Sequence, residues 1–447
     1  MPPSMLPIIA TLVLTLVSGW LSNQARAQHA APATTPATTP ATTPATTPAS
    51  TSASTSAAIP ADATKAFAQA AAYSEQFSGR AALIMVNGAI VHEAYANGWN
   101  AGRAHPLASG TKSFTGVTAI AAIQDGLISS LDEVVSDTIT EWKNDPRKSK
   151  ITVRHLLTLS SGLDPAEATL GSRGAPGGGV LGKGRNTKMD QIRGSESVDD
   201  KFAHVITVPS KHAPGERFEY GSSHFYAFGE FLQRTLEKSD RPEKTTLSYM
   251  NARIFEPCGL PSGRLNIGQD RAGNPNLPGG FRFTAREWAA FGEFVRLGGA
   301  IRKPDGTLDQ HLDPALLREC FTPSSTNPNY GLTWWLLRDP SAGQEGDEGG
   351  RRSVGPRERL RNQANQTGPL IGPDGKPVDV YMAAGLGKQR LLIVPAYNLV
   401  VVRFAENTPQ GAGFANDAFL KPILEGVRAM NPDAANGEPP AKPEGTR

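Results

Sequence analysis

The sequence predicts an α+β fold: an antiparallel β-sheet flanked by helices, with a mostly helical region inserted between its first and last strands. Three observations carry that prediction. Two largely apolar runs, 80–86 (RAALIMV) and 89–95 (AIVHEAY), flank Asn87-Gly88, and an Asn-Gly pair in that setting is a strong short-range hairpin signal. Segments of helical length and pattern follow at 62–76, 110–125, 151–159, 223–237 and 284–297. Strand-like runs at 330–337 (YGLTWWLL), 391–394 (LLIV) and 399–404 (LVVVRF) close the region. An opening hairpin and closing strands around a helical middle put the first and last strands side by side.

The amino end reads as an export signal and a spacer. Residues 5–21 (MLPIIATLVLTLVSGWL) are apolar and uncharged but slightly short for a membrane span, and Ala25-Arg26-Ala27 offers small residues where a signal peptidase would read. Residues 1–27 are therefore expected to be a signal peptide, with a periplasmic or secreted mature protein. No Lys or Arg precedes Arg26, so an uncleaved anchor is the alternative, and a membrane tether is expected only in that case. Residues 28–60, with their repeated ATTP units, have little to bury and read as a disordered linker. The folded region is placed at 61–430, and the polar, Pro-containing stretch 431–447 reads as a disordered tail.

Within the folded region, Phe114, Val117, Ile120, Ala121 and Ile123 give the 110–125 helix its apolar face, and Gly126 supplies the stop. Thr284 with Glu287 three residues on is a capping-box pattern opening the 284–297 helix. Ser160-Ser161-Gly162 ends the 151–159 helix, where His155 lies among apolar residues and reads as structural.

Composition excludes several classes. The 447 residues carry a net charge of only +3, against a nucleic-acid binder. The two cysteines, Cys258 and Cys320, cannot build a disulfide framework or a Cys-rich zinc site, and are expected to be free and buried. The eight histidines show no ligand spacing, so no catalytic metal is expected. Residues 177–183 (GGGVLGK) approach a phosphate-binding loop, but Gly184 stands where Ser or Thr is required. The Gly-rich stretch 165–200 reads as a long loop, either a lid or solvated filler. Arg351, Arg352, Arg357, Arg359 and Arg361 form either a solvated loop or a basic rim for anionic substrates.

The chemistry begins with Ser109-Gly110-Thr111-Lys112. Three residues on a helix is nearly one turn, so Ser109 and Lys112 share a face. A serine hydroxyl needs a base to become a nucleophile, and a lysine serves only when neutral, which burial favours. The helix N-terminus also presents N–H groups to a developing oxyanion. Tyr220, on a loop entering the 223–237 helix, offers a second proton-transfer group. The glycines of Met382-Ala383-Ala384-Gly385-Leu386-Gly387-Lys388-Gln389 suit close approach of backbone to substrate.

Taken in order, these phrases resemble the serine hydrolases of the class C β-lactamase and penicillin-binding-protein type. LASGTKSFTG is similar to that family's nucleophile helix, ITVRHLLTLSSGL to the segment after it and PGERFEYGSSHFYAFG to its tyrosine motif. IFEPCGL, GGFRFTAREWAAFG, YGLTWWL and GLGKQRLLIVP then follow where relatives have similar phrases. The resemblance implies that Ser109 is acylated, Lys112 accepts its proton, and Tyr220 assists proton transfer to the leaving group and in deacylation. It further implies an oxyanion hole from the backbone N–H groups of Ser109 and Leu386, and substrate contacts at Ser222, Ala384 and Gly385, with no cofactor.

Two departures bear on substrate. Ser222 stands where many relatives have an asparagine that contacts the acyl side chain. Ala383-Ala384-Gly385 stands where relatives acting on penicillin or cell-wall peptide often have Lys-Thr-Gly or His-x-Gly, which removes a charge-assisted contact of roughly 1.5–3 kcal/mol. The closing phrase is nearer the Gly-x-Gly-Gly-Gln of esterase and amide-hydrolase branches, with Lys388 in place of the last glycine. The expectation is an esterase- or amidase-like hydrolase acting on a small-molecule or peptide ester or amide. β-Lactamase or D,D-peptidase action on the same site, and a penicillin-binding or sensor protein without turnover, are the alternatives.

Overall fold

The computed structural model of the chain describes residues 58–165, 198–260, 263, 265–337, 370–372, 375 and 377–431. The signal segment, the ATTP spacer, most of the 165–200 loop, the near phosphate-binding loop, the arginine cluster and the carboxyl tail lie outside the described residues.

Six strands form the main sheet: β1 (Gly79–Val86), β2 (Ala89–Tyr95), β3 (Trp335–Leu337), β4 (Val380–Gly385), β5 (Gln389–Val394) and β6 (Leu399–Ala405). Their order across the sheet is β2-β1-β6-β5-β4-β3 and every neighbouring pair is antiparallel. The first and last strands are therefore adjacent, Leu83 opposite Val402 and Val86 opposite Leu399. The opening hairpin turns where the sequence places it: Asn87 and Gly88 have φ of 52° and 82°, the left-handed values that two-residue hairpin loops need.

Helices cover both faces of the sheet. On one side α1 (Ala61–Gln76) packs with the last helix, α7 (Asn416–Met430). Gly426 lets them close, since a Cβ there would crowd the Phe67 ring. On the other side α6 (Ala285–Arg296) lies on β5 and β6, with Gly292 seated between Leu391 and Val400. Its start carries the predicted capping box, the Thr284 hydroxyl accepting from Glu287 N and Glu287 reaching back to Thr284 N.

The inserted helical region holds α2 (Lys112–Gln124), α3 (Val153–Leu157), α4 (Lys201–Thr207) and α5 (Ser223–Lys238). α2 is not one-sided as its pattern suggested. Every residue from Lys112 to Ala122 is buried, so the helix runs through the core. Phe114 stacks on Phe291 at 3.8 Å between ring centroids and meets Phe255, Phe281 and Phe283 edge-on.

Two sequence expectations need correction. The strand expected over 330–337 is confined to Trp335–Leu337. Thr333 takes φ of 68° and Gly331 N bonds to Trp334 O, so the segment turns before it pairs. The helix expected over 151–159 spans only Val153–Leu157, because Leu159 has φ of 59°. His155 is structural there: its Nδ1 accepts from Thr152 N, closing a second capping box. Cys258 and Cys320 are both free thiols; Cys320 is fully buried, whereas Cys258, expected to be buried too, is only partly so.

Candidate active site

The segment around Ser109 is held from two sides. Leu107 N bonds to Phe281 O and Phe281 N to the Thr111 hydroxyl, tying the segment to a small sheet in which His105 pairs with Phe283. Ala108 has φ of 48°, a left-handed conformation that costs a residue with a Cβ energy and bends the chain just before Ser109. A short 3₁₀ turn, Ala108–Thr111, then leads directly into α2 at Lys112, so the predicted helix begins as a tighter coil. On the far side of α2, Thr333 acts as a buttress: its hydroxyl accepts from Gly116 N, its carbonyl accepts from the Ser113 hydroxyl, and a Cβ at Gly116 would overlap Leu332 O.

Lys112 is 5% exposed, and its Nζ donates to Ser109 Oγ at 3.3 Å and to the Pro278 carbonyl at 2.6 Å. The rings of Tyr220 and Phe225 lie against it, each centroid 5.1 Å from Nζ. Serine and lysine from one segment and tyrosine from another, about a hundred residues on, thus meet at one point. The Pro278 carbonyl was missed by sequence reading because a backbone acceptor leaves no side-chain signature; the glycines that follow Pro278 are its only trace.

Tyr220 stacks on Trp335 at 6.1 Å, and Phe218 and Tyr330 complete the aromatic group. Its backbone is fixed by a buried polar chain that sequence reading also missed. His224 is fully buried; Nε2 faces Glu219 O at 2.8 Å and Nδ1 faces Ser161 Oγ at 2.8 Å. A carbonyl only accepts, so Nε2 carries the proton and Nδ1 accepts from the Ser161 hydroxyl. Burial pulls the His224 pKa down from 6.5 to about 4, with Lys112 adding to the shift, so the ring is neutral at pH 7. A histidine four residues after the tyrosine, in the first turn of α5, was the available signal.

Ser222 is the residue before α5, 7% exposed, and its hydroxyl does not cap the helix. Ala383 and Ala384 are buried on β4, and Gly385 ends that strand. Gly385 abuts the nucleophile segment: a Cβ there would overlap Leu107 O, and the Leu107 carbonyl carbon and Gln389 Cβ would each lie 3.1 Å away. Leu386 follows in the β4–β5 turn and is 67% exposed. Lys388 sits in the same turn at φ of 61°, and burial with the like charges of Arg390 and Arg403 lowers its pKa to about 8. Among the described residues no group of three His, Cys, Asp or Glu is arranged to hold a metal ion.

A helix-flanked antiparallel sheet with a lysine bonded to a serine at a buried helix start is an arrangement suited to a serine hydrolase. Comparison with known proteins makes the class specific: residues 61–421 match the Beta-lactamase family model, and the chain belongs to that family of serine hydrolases. The fold resembles a putative beta-lactamase from Bacteroides dorei DSM 17855 (TM-score 0.51, 16% identity, 81% of this chain and 97% of that one). It equally resembles EstCE1, a hydrolase with promiscuous acyltransferase activity (TM-score 0.50, 15% identity, 81% and 99%). A curated relative, Protein flp of Staphylococcus aureus, is 25% identical over 138 residues, covering 30% of this chain and 24% of its own length. The match thus spans about a quarter of that relative.

Proposed function

We propose that this protein is an exported hydrolase that cleaves an ester or amide through an acyl-enzyme on Ser109. The observation that carries the reading is the Lys112 Nζ bonded to Ser109 Oγ with the Tyr220 ring against it. Lys112 in its neutral form takes the hydroxyl proton as Ser109 Oγ attacks the substrate carbonyl. The Pro278 carbonyl accepts from the ammonium so formed. The N–H groups of Ser109 and Leu386 receive the oxyanion, and the close packing of Gly385 on Leu107 supports that pairing. Tyr220 passes its hydroxyl proton to the leaving group as the tetrahedral intermediate collapses and takes one back from the Lys112 ammonium, which returns Lys112 to its neutral form. Water then attacks the acyl-enzyme, giving the free acid and restoring the Ser109 hydroxyl.

Ester or amide substrates without a recognised carboxylate fit this site better than β-lactams or D-Ala-D-Ala peptides. The buried Ala383 and Ala384 offer no cation where a carboxylate would be held. The Ser222 hydroxyl, not used for capping, is available for a short contact to the acyl group. Export rests on the apolar run at 5–21 and the Ala25-Arg26-Ala27 site. Among the described residues no helix is long and apolar enough to cross a membrane.

Intact mass spectrometry after a fluorophosphonate or a penicillin, run beside a short-chain nitrophenyl ester assay, tests the reading. Fluorophosphonate labelling at Ser109 with ester turnover is the expected result. Rapid β-lactam turnover would overturn the substrate assignment, and penicillin labelling without release or ester turnover would make this a binding protein.

A further inference from the structure

The turn that carries Leu386 is gripped from behind by buried polar side chains. Gln389 is 2% exposed, and its carboxamide uses both donors and its acceptor. Nε2 donates to Leu386 O at 3.0 Å and to Ala405 O at 2.7 Å, while Oε1 accepts from Ala405 N at 2.9 Å. The side chain therefore pairs with β6 as a backbone amide would and spends its second N–H on the turn. Arg390 Nη1 lies 3.5 Å from Gly385 O, and Arg403 Nη1 donates to Lys388 O at 2.9 Å.

A peptide unit is planar and trans, so its C=O and N–H point in opposite directions. Gly385 O and Leu386 N–H belong to one unit, and Leu386 O to the next. Arg390 holds the first unit by its carbonyl and Gln389 holds the second, leaving the Leu386 α-carbon between two anchored planes. The direction of the Leu386 N–H is thereby fixed without any side chain on the substrate side. The Gln389 bond is the shorter of the two, and the bonds of the same carboxamide to Ala405 tie the turn to β6, on which α6 packs from one face while Arg403 bonds to Ser74 of α1 from the other.

We infer that Gln389 is a positioning residue for the oxyanion hole: it acts through the Leu386 peptide and touches no substrate. The inference rests on the proposed Ser109 mechanism. Beyond that mechanism, it assigns the orientation of one donor to one buried carboxamide.

The test compares the parent with Gln389→Met, which keeps the length and removes the amide, and with Gln389→Glu, which keeps the shape and removes the donors. Thermal unfolding and fluorophosphonate titration give the folded fraction. Per folded site, kcat for a nitrophenyl ester and the rate of Ser109 phosphonylation are expected to fall together by about 10- to 100-fold. KM is expected to stay within about threefold, because the oxyanion develops only as bonds change. Equal kcat per folded site, a change in KM alone, or failure of both variants to fold would overturn the inference and leave Gln389 a structural residue. If the parent itself showed neither labelling at Ser109 nor ester turnover, the proposed mechanism would fall first and this inference with it.

Discussion

Replacing Gly385 by alanine probes the join between β4 and the nucleophile segment. Gly385 does not take a left-handed φ, so the substitution tests space and not backbone conformation. The new Cβ would overlap Leu107 O, with the Leu107 carbonyl carbon and Gln389 Cβ both at 3.1 Å. None of these is the free end of a flexible side chain, so strand and segment must separate by about 1 Å, a displacement that costs about 10²-fold when it misplaces reacting groups. The overlap itself should cost about 1–3 kcal/mol of stability. The assay is nitrophenyl ester hydrolysis with thermal unfolding on the same preparation. kcat is expected to fall about 100-fold, well beyond what the loss of folded protein at the assay temperature explains. A variant with parent-like kcat and a lowered Tm would show that the Gly385–Leu107 approach matters only for stability and that Leu386 does not serve the reaction.

Three further outcomes follow from the same geometry. Lys112→Met should lower kcat by about 10²–10⁴-fold, the range for loss of a proton-transfer group, and slow fluorophosphonate labelling of Ser109 in parallel; labelling at the parent rate would remove Lys112 as the base. Tyr220→Phe keeps the ring stacked on Trp335 and removes only the hydroxyl, so kcat should drop by at least about 10-fold while Tm holds, and unchanged turnover would exclude a proton role. His224 has a folded pKa of about 4 against 6.5 for the free side chain, so the unfolded state binds the extra proton more readily. Its contribution is fully present above pH 6.5 and is lost as pH falls toward 4, by about 3 kcal/mol in total. His92, His105 and His155 are shifted the same way by burial, so His224→Gln should lessen, and not abolish, the drop in Tm between pH 7 and pH 4.5; a drop as steep as the parent's would contradict the assignment.

What was legible in the sequence was local. Asn87-Gly88 favours a turn through its own backbone preferences, and Thr284 with Glu287 closes a cap from residues three apart. Ser109, Lys112 and Tyr220 were visible because their order along the chain matches a family's phrases, and the fold brings them together at Lys112 Nζ. What stayed hidden depends on packing. The aromatic and apolar residues of 330–337 look like a strand, but Thr333 is turned to buttress α2, a contact made more than two hundred residues away in sequence. Arg390 and Arg403 sit in strands where polar residues ordinarily face water, yet both are fully buried, Arg390 against Asn416 of α7 and Arg403 against Ser74 of α1. The Pro278 carbonyl and the Gln389 contacts with Leu386 and Ala405 involve backbone atoms, for which residue type carries almost no information.

The central claim is that the Ser109 hydroxyl, with Lys112 as its base, is the attacking group. It is tested most directly by acid-quenching the parent and Ser109→Ala during turnover of a nitrophenyl ester and weighing both intact proteins. The account predicts an acyl mass increment on the parent that maps to Ser109, and neither increment nor turnover in the variant. Turnover by Ser109→Ala at the parent rate would contradict it.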